Sequence, residues 1–187
     1  MDLIHELEAY TPCNEQEERD REEILYRLEH EDVYTRDNKG AHLSSSAWVV
    51  NQDRTKVLMC WHNIYHSWSW LGGHADGDRD LRHVAVKEVK EESGLSHVSP
   101  VMPDIFSVEI LTVDGHIKHG HYVSSHLHLN VTYLLQADDQ EPLHSKPDEN
   151  SGVKWFTPEE ALAASSEPWF VEHVYRKLIA KTEKMCL

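Results

Sequence analysis

Gly73-His-Ala-Asp-Gly-Asp-Arg-Asp-Leu-Arg-His-Val-Ala-Val-Lys-Glu-Val-Lys-Glu-Glu-Ser-Gly-Leu95 is the stretch on which the fold turns, because it places three carboxylates where ordinary helix physics would not. Reading Asp78 as the N-cap and Gly94 as the stop predicts a helix of about four turns between them. With about 100° of rotation per residue, Leu81, Val84, Ala85 and Val89 form one apolar stripe. Glu88 and Glu92 fall inside that stripe and Glu91 lies at its edge, whereas Arg82, His83, Lys87 and Lys90 point elsewhere. The three glutamates also occupy the C-terminal half of the helix, where the macrodipole disfavours negative charge by roughly a few tenths of a kcal/mol per group or more.

Inward carboxylates at i, i+3 and i+4 repel one another unless protons or a cation neutralise them, and a hard divalent cation suits an all-oxygen set. The competing reading is a solvated, Glu-rich surface helix. It does not explain why the lysines and the arginine avoid the apolar stripe while two glutamates enter it.

The segment resembles the Nudix box: Gly, five residues, Glu, seven residues, then Arg-Glu-aliphatic-any-Glu-Glu-any-Gly-aliphatic. Gly73, Glu88, Val89, Glu91, Glu92, Gly94 and Leu95 match it in register. Two positions depart: Arg79 stands where the family has Glu, and Lys87 where it has Arg. The family's usual ion pair between those positions cannot form from two basic residues. Asp76, Asp78 or Asp80 can supply a carboxylate to Lys87 instead, and Lys87 can also meet Glu91 at i+4. The departure touches the bracing of the loop; every acidic position of the cluster is intact.

The resemblance implies an α/β fold, a Nudix-type α/β/α sandwich on a mixed sheet, over roughly residues 40 to 165. It further implies a pyrophosphohydrolase that cleaves the diphosphate linkage of a nucleoside diphosphate joined to another group. A nucleoside triphosphate, ADP-ribose or a nucleotide sugar would fit that description. The implied cofactor is Mg²⁺, with Mn²⁺ as a substitute, held by Glu88, Glu91 and Glu92 and the backbone carbonyl of Gly73 or its neighbour Gly72; glycine lets backbone approach an ion closely. One of Glu88 and Glu91 can instead be the general base. Many relatives add an acidic group from a later loop. Asp148-Glu149, just before Val153-Lys-Trp-Phe156, is the matching place, with Glu149 preferred and a solvated loop as the alternative. Two other readings stand beside the hydrolase. A noncatalytic nucleotide sensor tends to lose carboxylates of the box, and all three are kept here. The isopentenyl-diphosphate isomerase branch uses a Cys leading into its metal site, and Trp68-Ser-Trp-Leu-Gly-Gly-His74 has none.

The 187 residues suit one domain plus an appendage, divided as a helical extension over 1–35, packed on a main domain over 36–187. Acidic residues exceed basic ones by 33 − 18 = 15, which argues against nonspecific binding of nucleic-acid duplex, so anionic substrates need a bridging metal or local basic residues. The implied partner is a nucleotide-type small molecule. No apolar run is long enough for a bilayer, and Met-Asp-Leu-Ile-His-Glu lacks the pattern of a signal peptide, so the expected location is the cytoplasm. Cys13, Cys60 and Cys186 have no CxxC spacing and read as reduced thiols, Cys60 being a buried small side chain.

Around the box, residues 2–10 and 14–30 read as helices broken at Thr11-Pro12, with Asn14 as N-cap of the second. Ile24, Leu25 and Leu28 give that helix a narrow apolar stripe, which packs on the main domain or joins two copies, so the chain is a monomer or a homodimer. Strands are expected at 42–50, 56–62, 105–113, 126–136 and 152–156. Thr157-Pro158-Glu159-Glu160 opens a helix, and a last helix spans 167–184. Trp61, Tyr65, Trp68 and Trp70 flank the glycine loop. One of them, Trp70 by position, can stack on a base, although core packing is the plainer role for any single one. His116, His119, His121, His126 and His128 form a second cluster. His126 and His128 share a strand face within reach of one ion, but no Cys or His partner stands at recognisable zinc spacing, so a dedicated zinc site is not expected and the pair can instead contact substrate phosphate or base.

Overall fold

The computed structural model describes residues 2–118 and 120–185, so His119 and Cys186 lie outside the described residues. Among the described residues ten strands and a set of helices follow one another as an α/β fold, with eight strands in one mixed sheet whose main path runs through β10 (Asn150–Phe156), β2 (Val57–His62), β1 (Ala41–Val50), β9 (His126–Ala137) and β5 (Val98–Pro100). The chain divides into two compact units: one takes the N-terminal residues to Ser46, Gly73–Val84 and Asp104–Tyr133, the other Ala47–Gly72, Ala85–Pro103 and the chain from Leu134 onward. The helix of the box is α3 (Leu81–Ser93), preceded in the chain by β4 (Leu71–His74). Among the described residues no helix is long and apolar enough to cross a membrane.

In the first unit α1 (Leu3–Ala9) stops before Thr11-Pro12, and α2 (Glu15–His30) restarts where the Asn14 side chain accepts the Glu17 amide at 2.9 Å. α2 lies on β6 (Ser107–Val113), with Ile24 fully buried and Leu25 and Leu28 half-buried. β6 pairs antiparallel with β9 from Ser107↔Thr132 to Val113↔His126. The connection between them is not a plain loop, since β7 (His116–Lys118) and β8 (His121–Val123) close a small hairpin there.

A carboxylate from the acidic run of α2 does what no periodicity announces. Glu17 is fully buried and accepts the Tyr10 hydroxyl at 2.6 Å, the Cys13 amide at 2.8 Å and the Ser107 hydroxyl at 2.8 Å. Ser107 also meets Glu109, which takes Asn130 at 3.0 Å and Thr132 at 2.9 Å, and Asn130 in turn accepts Ser44 at 3.1 Å and Ser46 at 2.9 Å. A buried carboxylate is tolerable only when donors replace its water, and three do so for Glu17. Glu17→Ala takes this acceptor from all three donors at once and is expected to cost about 3 kcal/mol, read as a lower urea midpoint at unchanged slope.

The second unit is built on β2 (Val57–His62), flanked antiparallel by β10 (Asn150–Phe156) and β3 (Ser67–Ser69). Asn51 makes the turn into β2 by accepting the amides of Thr55 and Lys56, each at 2.9 Å. β5 (Val98–Pro100), a strand with no alternating signature, pairs with the end of β9 from Val98↔Ala137 to Pro100↔Leu135. Thr157 and Glu160 form the expected capping box of α4 (Pro158–Ala164). The last helix is not uniform: α5 (Pro168–Phe170) runs through a π-helical stretch, Val171–Tyr175, into α6 (Arg176–Lys184). Val174 and Tyr175 in that stretch are fully buried, and Tyr175 faces Trp48 and Trp70 at ring-centroid distances of 5.8 and 6.0 Å. Cys60 is buried in the same core and Cys13 is exposed, both with reduced thiols.

Candidate active site

The helix of the box begins later than Asp78 suggested. Asp80 is its N-cap: the Asp80 carboxylate accepts the His83 amide at 2.9 Å and its carbonyl accepts Val84 at 3.0 Å. Asp78 instead closes a turn on the amide of Asp80 at 2.9 Å and meets the His83 ring at 2.8 Å. Asp76 at φ +47° and Gly77 at φ +93° keep the chain turning for two more residues, so the nearest of three competing aspartates caps the helix. Gly94 at φ +74° ends it, and a Cβ there would come within 2.9 Å of His144, so both backbone and space require glycine.

The loop bracing differs from the family's ion pair. Arg79 lies over the ring of Tyr34 at 4.6 Å, and Asp76 takes Arg36 through two 2.7 Å bonds. Lys87 pairs with Glu88 at 3.1 Å and Glu91 at 3.3 Å, so of the expected partners it is the i+4 glutamate that the structure shows.

The apolar stripe of α3 carries Glu92 inward, as its phase requires: it is 4% exposed, Glu88 is half-buried and Glu91 is exposed. One Glu92 oxygen accepts the amide of Gly72 at 2.9 Å, the other faces the Cys60 thiol at 3.9 Å, and Asn150 donates to the Glu92 carbonyl at 3.0 Å. Burial pushes the Glu92 carboxyl up to about 8; the Gly72 amide opposes this, and the charges of Glu88 and Glu149 add to it. Burial likewise pushes the Cys60 thiol well up, so sulfur here is a protonated neighbour and not a thiolate ligand. Lys146 brings the later loop to the helix, pairing with Glu91 at 3.3 Å and Glu149 at 3.0 Å. Against desolvation, Lys146 and Lys87 hold the Glu91 carboxyl below its ordinary value.

Glu88, Glu91, Glu92 and Glu149 therefore belong to one unit and one neighbourhood, with Gly73 next in the chain after the amide that holds Glu92. Asp148 is exposed in the same loop. The donor set is all carboxylate. A carboxyl raised first by burial and further by the charges of Glu88 and Glu149 marks a place that favours added positive charge, and those two properties fit a hard divalent cation such as Mg²⁺. Cys60, Lys146 and Asn150 were missed from the sequence, since each reaches α3 from a distant segment and none stands in a motif.

The aromatic residues separate by depth. Trp70 is 8% exposed and edge-on to Phe170 and Tyr175, Trp68 packs between Trp61 and Phe156, and Tyr65 is exposed and stacked on His62. His126 and His128 do share a face of β9, their Nε2 atoms 3.3 Å apart, and in the first unit they meet His42 and His74. Burial lowers the pKa of His42.

The family model described as "NUDIX domain" matches residues 40–179. No curated protein matches the chain. Solved structures share its fold at low identity. The E. coli dihydroneopterin triphosphate pyrophosphohydrolase is 16% identical with a TM-score of 0.55, over 74% of this chain and 94% of that one. A C. elegans Ap4A hydrolase binary complex is 14% identical with a TM-score of 0.51, over 77% and 96%. RenU, a Nudix hydrolase from M. smegmatis, is 12% identical with a TM-score of 0.56, over 79% and 89%.

Proposed function

Because the chain belongs to the Nudix family of hydrolases, we propose that it cleaves the diphosphate linkage of a nucleoside diphosphate joined to another group, in a Mg²⁺- or Mn²⁺-dependent reaction. The observation that carries this is the burial of Glu92 against the Gly72 amide, with Glu88, Glu91 and Glu149 around it. These carboxylates would hold the cation. When bound, it supplies charge neutralisation on phosphate oxygens and activation of water. One of Glu88 and Glu91 instead takes the proton from the attacking water, leaving the others as ligands. The Gly72 amide keeps Glu92 in place, and Asn150 ties down the helix end that carries it. Lys146 and Lys87 bring local positive charge that a chain of net charge −15 otherwise withholds from a polyphosphate. We assign Trp70, with so little surface exposed, to supporting the glycine loop. Two of the structural neighbours are named for polyphosphate substrates, Ap4A and dihydroneopterin triphosphate, which supports this substrate class.

The test is incubation of the purified protein with Mg²⁺ and a panel of dNTPs, oxidised dNTPs, ADP-ribose, nucleotide sugars and dinucleoside polyphosphates. The expected result is release of a nucleoside monophosphate from at least one of them, abolished by EDTA. Binding of a nucleotide without turnover of any member would establish the sensor reading instead.

A further inference from the structure

Four imidazoles meet within the first unit from segments far apart in the chain: His42 at the start of β1, His74 at the end of β4, and His126 and His128 on one face of β9. None belongs to the carboxylate cluster. His42 is 5% exposed, and its Nδ1 lies 3.2 Å from the Asn38 carbonyl. A carbonyl accepts only, so the ring proton sits on Nδ1 and Nε2 is a lone pair. That Nε2 is buried without a hydrogen-bond partner among the described residues. An orphaned buried nitrogen costs free energy that folding does not ordinarily leave uncompensated.

The ring of His126 shows the same preparation. The Nδ1 of His126 lies 2.9 Å from the Ser124 carbonyl, which again leaves the lone pair on Nε2. The Nε2 of His128 is 3.3 Å from that atom and 3.2 Å from the Nε2 of His74. One imidazole nitrogen carries at most one hydrogen, so a single well-aligned N–H···N bond from His128 accounts for only one of the two contacts. Nitrogen ligands about 2.0–2.1 Å from a tetrahedral ion stand about 3.3 Å from one another, which is the spacing these rings have. Ring nitrogens of His42, His74 and His128 all lie within 4.8 Å of one another. A backbone carbonyl behind the far nitrogen is also the outer partner that orients imidazoles bound to metal.

We propose that His42, His74 and His128 form a binding site for a borderline divalent transition ion, Zn²⁺ first, with His126 as the fourth ligand. All-nitrogen donors select against Mg²⁺ and Ca²⁺, so this site and the carboxylate cluster take different ions. The site has no linear motif because its ligands come from three strands of the fold.

The experiment uses the full chain, stripped with a chelator and returned to buffer with millimolar Mg²⁺ to occupy carboxylate sites. Co²⁺ is titrated in as a visible reporter, then displaced with Zn²⁺. The expected result is one equivalent of Co²⁺ with a ligand-field absorption band, lost to one equivalent of Zn²⁺. His74→Ala and His128→Ala should each weaken binding by about 100-fold or more, and Glu92→Gln should leave it unchanged. The wild-type protein should also melt at a higher temperature with Zn²⁺ in the same Mg²⁺ buffer, a readout that needs no variant. Failure of the band to appear, weak binding of several equivalents, or one-equivalent binding that survives both histidine substitutions overturns the proposal. The hydrolase assay can succeed or fail independently of this outcome.

Discussion

Glu92→Gln is expected to lower turnover by about 10²–10⁴-fold, because it removes a charged ligand from the middle of the carboxylate cluster while keeping the shape of the side chain. The amide oxygen of Gln can still accept from Gly72, so the fold should persist. A second readout separates this from a general loss of structure. Burial raises the Glu92 carboxyl from 4.5 to about 8, so the folded metal-free protein holds a proton there that the unfolded chain gives up. Its contribution favours the folded state below the unfolded pKa and is lost as pH rises from 4.5 through about 8. Urea midpoints of the EDTA-treated protein should therefore fall across that window in the wild type and fall less in Glu92→Gln. Turnover within tenfold of wild type would remove Glu92 from the site.

Tyr175→Ala is expected to be the most damaging core truncation. The ring is fully buried among Trp48, Trp70 and Phe170, and its hydroxyl accepts the Trp70 amide at 3.4 Å. Emptying such a site costs about 3–5 kcal/mol, which for a chain of this size lowers the melting temperature by about 6–20 °C. Tyr175→Phe, which loses only the hydroxyl, should cost about 1 kcal/mol. Trp70 leads directly through Leu71 to Gly72, whose amide holds Glu92, so the alanine variant should also lose activity at temperatures where it remains folded. A loss under 1 kcal/mol for Tyr175→Ala would mean that this aromatic cluster does not hold the loop.

Local pattern revealed those parts of the molecule whose causes are local. The phase of α3 placed Glu88 and Glu92 within the apolar stripe and Glu91 at its edge because side-chain direction on a helix follows from rotation per residue alone; the structure has Glu92 buried, Glu88 half-buried and Glu91 exposed. Asn14 and Thr157 were readable as caps because a cap acts within three residues of itself. Asp78 was misread because three aspartates offered the same chemistry, and the choice among them fell to the backbone of Asp76 and Gly77. Glu17 was unreadable for the opposite reason. It sits in an acidic run that looks solvated, and its burial depends on Tyr10 and Ser107 arriving to replace water.

The family, the helix that carries Glu88, Glu91 and Glu92, and the substitution of Arg79 and Lys87 for the usual brace are all legible in the amino-acid order. All of that is encoded over 23 contiguous residues, where spacing fixes relative position. The folded chain was needed to see that Lys146 carries Glu149 to Glu91, that Cys60 and Gly72 face Glu92, and that His42 and His74 join His126 and His128. Those neighbours are separated by tens of residues along the chain. Their meeting is set by strand pairing and by the burial that drives it, which no single segment contains.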